Sequence, residues 1–224
     1  MKLLSLLGSV EVKYLGENVE VSGITDDSRK VKPGFIFVAI KGLQSDGHEY
    51  VEQAIDQGAK VIVFDVNSKF QLPVFKQGEA VFISAPNTRR VLGLLWAAWY
   101  GFPSKKLKVI GVTGTDGKTT TVNLIYHILK SAGKKVGMVS TINARIGDRE
   151  IDTGFHVTNP APELLQKLLS EMVQTKMEYA VVEVTSHGID QDRIVGVDFY
   201  GAVITNVTHE HLDYHKTYEE YLKT

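Results

Sequence analysis

Apolar positions in this chain alternate between two spacings. Short continuous runs mark buried strands, and runs with apolar residues three and four apart mark helices. In the first hundred residues, Phe35-Ile-Phe-Val-Ala-Ile40 predicts a buried strand entered through a Pro33-Gly34 turn. His48 to Gln57 predicts a helix with Val51, Ala54 and Ile55 on one face and Gly58 as its stop. Lys60-Val-Ile-Val-Phe64 and Ala80-Val-Phe-Ile-Ser84 predict two more strands. Asn87 to Tyr100, rich in Leu, Ala and Trp, predicts a helix. The opening residues, Met1 to Val10, fit a short amphipathic helix that starts the fold. A secretory signal fits poorly, because the apolar run is short and Glu11, Lys13, Glu17 and Asn18 follow at once.

Gly101-Phe-Pro-Ser104 breaks the pattern and sets an expected domain boundary, dividing 1–103 from 104–224. Beyond it strand and helix alternate. Lys108 to Thr113 is a strand, Lys118 to Ser131 a helix closed by Gly133, and Lys135 to Ser140 a strand. Pro162 to Thr175 is a helix with Leu164, Leu165, Leu168, Leu169 and Met172 inward. Tyr179 to Val184 and Tyr200 to Thr205 are further strands. The expected fold class is α/β: a small N-terminal α/β domain, then a P-loop domain with a mostly parallel sheet covered by helices. In such sheets ligands gather beyond the carboxyl ends of the strands. Three polar clusters lie there: the glycine loop 111–121, Glu183 to Gly188, and Thr205 to Asp213.

Composition changes this picture little. The chain has 224 residues, 43% hydrophobic and 23% charged, which is ordinary for a globular protein. Its 25 basic and 26 acidic residues leave a net charge of −1, so no global field favours nucleic acid or an anionic membrane. It has no cysteine, which excludes disulfides and thiolate metal sites and fits a reducing compartment. No stretch approaches the ~18 consecutive apolar residues of a membrane span. A cytoplasmic monomer is expected.

The chemistry starts at Gly111-Val-Thr-Gly-Thr-Asp-Gly-Lys-Thr-Thr-Thr121. A strand, glycines, Lys-Thr and a helix start suit a phosphate chain. Glycines let backbone N–H groups close on the oxygens, and the helix N-terminus adds a favourable dipole. Lys118 is expected to reach the terminal phosphates of a nucleoside triphosphate, and the Thr119 hydroxyl to sit on Mg²⁺. The usual spacing places glycine at position 112, where this chain has Val112; its glycines fall at 111 and 114. Glu183 ends an apolar strand, where a carboxylate is unfavourable without a cation. It is read as support for Mg²⁺, with a lysine salt bridge as the other reading. His209, His211, Asp213 and His215 form an ionisable cluster. A His-x-His strand could suggest zinc, yet no complete zinc shell follows. One histidine near a second magnesium, with Asp213 as structural support, is the simpler reading. His209 and His215 are read as caps of the following helix. Gln191 and Arg193 put an amide and a guanidinium near the nucleotide edge; Arg193 suits a phosphate, a carboxylate or a surface ion pair. Thr25 to Arg29 and Gly42 to His48 read as ordinary polar turns with no ligand assigned.

Taken together, the glycine loop, Glu183-Val-Thr-Ser-His-Gly-Ile-Asp-Gln-Asp-Arg193 and Thr205-Asn-Val-Thr-His-Glu-His-Leu-Asp-Tyr-His215 resemble signatures of the Mur ligase family. Asp27-Ser-Arg29, Pro33-Gly34 and Asp46-Gly-His48 extend the resemblance over nearly the whole chain. The family loop carries the offset glycine, with Asn commoner at the Asp116 position. The resemblance implies a domain holding a uridine nucleotide and an ATPase domain. It implies an ATP-dependent amide-bond ligase of peptidoglycan precursor synthesis. That ligase would join meso-diaminopimelate or L-lysine to UDP-MurNAc-L-Ala-D-Glu through an acyl phosphate.

Position by position, the resemblance places Asp26 and Ser28 at the uridine end and Leu43, Gln44 and Ser45 on a second substrate loop. Gly114, Thr115, Asp116, Gly117, Lys118, Thr119 and Thr120 would hold ATP. Thr158 and Asn159 match a Thr-Thr pair that contacts the muramoyl substrate, Asn159 being a departure. Thr185, where serine is commoner, completes the substrate site with Gln191 and Arg193. Thr119, Glu183 and His211 match magnesium ligands, and Lys118, Glu183 and His211 carry the catalysis. The family's carbamylated lysine falls, counting from His215, just past Thr224, and a third domain binds the amino acid. The 224-residue chain alone is therefore expected to be inactive as a ligase. Two alternatives are a folylpolyglutamate-synthase-like ligase, disfavoured by the first-unit loops, and a non-catalytic nucleotide- or UDP-sugar-binding module.

Overall fold

The opening leucines form α1 (Leu3–Leu7), with Leu3, Leu6 and Leu7 buried and the Met1 amine bonded to the Val21 carbonyl. The computed structural model describes residues 1–8, 10, 12–14, 17–42, 45–68, 80–152, 159–210 and 212–224. The chain divides into two units, Met1–Trp99 and Tyr100–Thr224.

In the first unit, β1 (Lys13–Tyr14), β2 (Gly23–Thr25), β3 (Phe35–Val38), α2 (Val51–Asp56), β4 (Val61–Asp65), β5 (Val81–Ala85) and α3 (Thr88–Trp99) follow α1. The sheet order is β1-β5-β4-β3-β2. β2 to β5 run parallel and β1 pairs antiparallel with β5. Phe37 and Ile62, opposite each other in the register, pack with Val31, Val51 and Ala54. Continuous apolar strands fit a parallel sheet buried on both faces. The helix expected from His48 starts differently. The Asp46 carboxylate accepts the His48 N–H at 3.0 Å and holds Gly47–Tyr50 in a 3₁₀ turn, so the α-helix begins only at Val51.

The second unit holds β6 (Lys108–Thr113), α4 (Lys118–Ser131), β7 (Val136–Val139), β8 (Asn143–Ile146), β9 (Arg149–Asp152) and α5 (Pro162–Gln174). Then come β10 (Tyr179–Glu183), α6 (Ser186–Asp190), β11 (Phe199–Ile204), α7 (Leu212–His215) and α8 (Tyr218–Lys223). The order is β11-β6-β10-β7-β8-β9, with β11, β6, β10 and β7 parallel. The β8–β9 hairpin adds an antiparallel edge that the hydrophobic pattern does not show. Only Ala144 and Ile146 of β8 are buried, and β9 has no buried residue, so two apolar positions carry its alternation.

Residues of β10 alternate between two cores, as strand geometry requires. Ala180 and Val182 face Leu165, Leu168, Leu169 and Met172 of α5. Val181 faces Val122 and Tyr126 of α4 together with Val112. Glu183 is two residues past Val181 and lies opposite Val112 in the β6–β10 register. Strand pairing thus carries its carboxylate to the α4 side, beside the glycine loop.

Candidate nucleotide and substrate sites

The glycine loop leaves β6 and enters α4 through Gly117, whose φ of 78° is left-handed. Val112 is fully buried under α4, so the position where the common motif has glycine is a core position of the strand. Gly114 supplies the closeness instead. Its φ is +138°, and a Cβ there would lie 2.1 Å from Thr205 Oγ1. The segment after β11 supports the loop from behind. The Thr115 N–H donates to the Asn206 carbonyl and the Asp116 N–H to Asn206 Oδ1, at 2.9 and 3.0 Å. Thr205 Oγ1 donates to the Asp116 carbonyl at 2.6 Å. The N-cap of α4 is Gly117, which has no side chain to cap the helix, and among the described residues no other side chain does so, leaving its first N–H groups available to an anion. Lys118 Nζ lies over the loop, donating to the Gly114 and Thr115 carbonyls at 2.7 and 2.6 Å.

Glu183 is 5% exposed. Oε2 accepts from the Thr119 hydroxyl at 2.9 Å and from the Thr141 N–H at 3.0 Å; Oε1 accepts from the Thr141 hydroxyl at 2.7 Å. Among the described residues no basic side chain pairs with it, so the lysine salt bridge weighed from the sequence is not made there. A buried carboxylate held by two threonines, with no basic partner among the described residues and next to an anion-binding loop, fits a hard divalent ion. Thr119 and Glu183 are thus adjacent; His211 lies outside the described residues.

β11 ends at Ile204 and residues 205–210 are not strand, so His209 does not lie on the strand that the zinc reading would need. His209 stacks on Tyr218 at 4.6 Å, and His215 is buried among the rings of His187, Tyr214 and Tyr221. The cap of α8 is the Thr217 hydroxyl, which accepts from the Glu220 N–H, so His215 does not supply it. Asp213 is exposed on α7.

Asn159, Thr185, Gln191 and Arg193 come together. Asn159 is buried with φ 59°, a left-handed conformation that asparagine tolerates. Its amide donates to the Glu183 carbonyl at 2.7 Å and accepts from the N–H and hydroxyl of Thr185, both at 2.8 Å. Both ends of the side chain therefore brace the end of β10. Arg193 donates to the Asn159 carbonyl at 2.9 Å and to Gln191 Oε1 at 2.7 Å, and Gln191 donates to the Tyr214 hydroxyl at 3.3 Å. Thr158 lies outside the described residues.

The first unit holds a cavity of about 750 Å³ lined by Asp26 to Lys30 of one polar loop and by Gly42, Ser45 and Gly47 of the other, with Tyr50, Gln53 and Arg89. Asp26, Ser28 and Ser45 thus share one site; Leu43 and Gln44 lie outside the described residues. Two aspartates shape its loops. A hydrogen bond and charge from the Arg29 guanidinium hold the Asp27 carboxyl below its ordinary range, against a smaller opposing effect of burial. At Asp46, burial pushes the carboxyl up, but the His48 ring and backbone N–H outweigh it and the net shift is downward. The sequence reading missed Arg89, which donates to the Lys41 carbonyl at 2.8 Å, and Thr141 in the other unit, and it gave Asn206 of the Thr205–Asp213 cluster no role of its own. Thr141 follows β7 at the carboxyl edge of the sheet, which was the available signal.

Residues 112–224 match the pattern described as "Mur ligase middle domain", and residues 20–100 match "Mur ligase family, catalytic domain". The chain is 44% identical to the UDP-N-acetylmuramoyl-L-alanyl-D-glutamate–2,6-diaminopimelate ligase of Parabacteroides distasonis, covering 100% of this chain and 45% of the relative. It is 43% identical to the ligase of the same name from Clostridium botulinum, covering 100% and 46%. A solved ligase of that name superposes with a TM-score of 0.77 at 25% identity, over 100% of this chain and 44% of that one. A Thermotoga maritima MurF ligase solved with ADP shares the fold, with a TM-score of 0.55 at 24% identity over 91% of this chain and 42% of that one. The chain spans less than half the length of the curated relatives it matches. Two matched patterns that together cover most of its residues, joined to the loop, the buried glutamate and the strand order, place this chain in the Mur ligase family.

Proposed function

We propose that this chain is the nucleotide- and substrate-binding part of a MurE-type ligase. In this reading 2,6-diaminopimelate is joined to UDP-MurNAc-L-Ala-D-Glu at the expense of ATP. The observation that carries the reading is Glu183, buried with no basic partner among the described residues and bonded to Thr119 at the entrance of α4. ATP phosphates would lie on the glycine loop and the uncapped N-terminus of α4, with Lys118 turned from the loop carbonyls toward them. Thr119 and Glu183 would hold Mg²⁺, which when bound neutralises phosphate charge.

The D-Glu side-chain carboxylate would attack the γ-phosphorus, forming a C–O–P link as the bond to ADP breaks. The amine of the amino acid would then attack the acyl carbon, releasing phosphate and a proton. The chain's own groups act by positioning and electrostatics, which is most of phosphoryl-transfer catalysis. Arg193 and Gln191 would orient the muramoyl peptide, and the first-unit cavity would take the uridine nucleotide.

Calorimetric titration with UDP-MurNAc-L-Ala-D-Glu and, separately, with Mg·ADP tests the reading. Binding of both is expected, with Lys118→Met weakening Mg·ADP and leaving the UDP ligand unaffected. Absence of heat with the UDP ligand refutes the MurE assignment.

A further inference from the structure

We propose that Tyr221 is a positioning residue for the phosphate loop, acting through the hydroxyl of Thr115. Thr115 is in the middle of the glycine loop, yet its side chain is turned inward and is 4% exposed. Its Oγ1 accepts from the Thr208 N–H at 2.9 Å and lies 3.0 Å from the Tyr221 hydroxyl. Its own N–H donates to the Asn206 carbonyl, and its carbonyl accepts from Lys118 Nζ. One residue therefore links α8, the segment after β11 and the lysine expected to meet phosphate.

Tyr221 is itself fixed. It is buried to 8% exposure, its ring is 5.2 Å from that of His215, and α8 is capped by Thr217. Losing the Tyr221 hydroxyl leaves Thr115 Oγ1 held by the Thr208 N–H alone, so the side chain is fixed less firmly. The Thr115 carbonyl is then oriented less firmly, and with it one of the two carbonyls that anchor Lys118. The glycine loop contains positive-φ residues at both ends of this stretch, Gly114 and Gly117, which leaves it dependent on such outside contacts.

The inference rests on the reading that this loop holds the phosphates of an adenine nucleotide. It is tested on the full 224-residue chain by calorimetry with Mg·ADP, using Tyr221→Phe, Thr115→Val and the double variant. Urea unfolding without nucleotide is measured alongside. Tyr221→Phe keeps the ring and removes one hydroxyl; it is expected to weaken Mg·ADP about three- to tenfold, the range of one net hydrogen bond. Thr115→Val is expected to lose at least as much. The double variant should be no weaker than Thr115→Val alone, because both changes break the same bond. Tyr221→Phe binding Mg·ADP like the wild type overturns the proposal, as do losses that add independently or that merely track lowered stability. A wild-type chain that binds no Mg·ADP overturns the nucleotide reading and this proposal with it.

Discussion

Replacing Glu183 with glutamine separates its charge from its shape. The carboxylate accepts three hydrogen bonds, two at Oε2 and one at Oε1. In Glu183→Gln the amide oxygen can keep the Thr119 hydroxyl and the Thr141 N–H. The new NH₂ faces Thr141 Oγ1, whose hydroxyl can rotate to accept. All three contacts survive, and only charge assistance is lost, about 0.5–1.5 kcal/mol for each bond. Removing an unpaired buried charge acts in the opposite direction and offsets part or all of that loss. The expected change in metal-free stability is therefore within about 2 kcal/mol, a melting shift of a few degrees for a chain of this size. The metal effect is one-sided. Without the negative oxygen, the gain in ADP affinity on adding Mg²⁺ should fall at least about tenfold, or ~1.4 kcal/mol. Calorimetry of ADP with and without Mg²⁺, beside thermal melts, reads both quantities. An undiminished Mg²⁺ gain in the variant refutes the metal role of Glu183; a collapse in metal-free stability refutes the argument from shape.

Gly114→Ala should destabilise the chain by about 1–3 kcal/mol in urea unfolding and weaken Mg·ADP, because its φ is +138° and its Cβ would meet Thr205 Oγ1. Asn159→Ala should lower stability by about 2–4 kcal/mol, since it strands the buried Thr185 N–H and Glu183 carbonyl; urea titration checks it. Asp46 has a folded pKa below its ordinary value, so its stabilising contribution is present above the unfolded pKa, about 4. That contribution is lost as pH falls through the lower folded value, and Asp46→Asn should flatten the acid limb of stability below about pH 4, measured by urea unfolding across pH.

Local pattern carried much of the fold. The Lys108–Thr113 strand and the Lys118–Ser131 helix lie where apolar spacing and Gly133 put them. Most other expected elements shift by one or two residues at their ends, as with Val61–Asp65 and Thr88–Trp99, while the helices expected over Met1–Val10 and His48–Gln57 shorten by up to three residues at one end, to Leu3–Leu7 and Val51–Asp56. The β8–β9 hairpin escaped because its buried side is only Ala144 and Ile146, too few for a period to be seen. The first-unit loops looked like plain turns, because a turn's hydrogen bonds satisfy its own residues whether or not a ligand site lies beside it.

By itself, the sequence determined the glycine loop, its Lys-Thr ending and the apolar strand beneath it, because each depends on neighbours in the chain. It also marked Glu183 as an unfavourably placed carboxylate, because a single charge at the end of an apolar run is visible without coordinates. Only the tertiary structure decided who surrounds them. The parallel pairing of β10 with β6 sets Glu183 opposite Val112, the end of β7 brings Thr141, and the end of β11 brings Asn206 to the loop. It also decided that both ends of the Asn159 amide brace β10. Strand order is a choice among distant segments with similar apolar faces, and it is settled by packing over the whole sheet; no spacing along the chain encodes it.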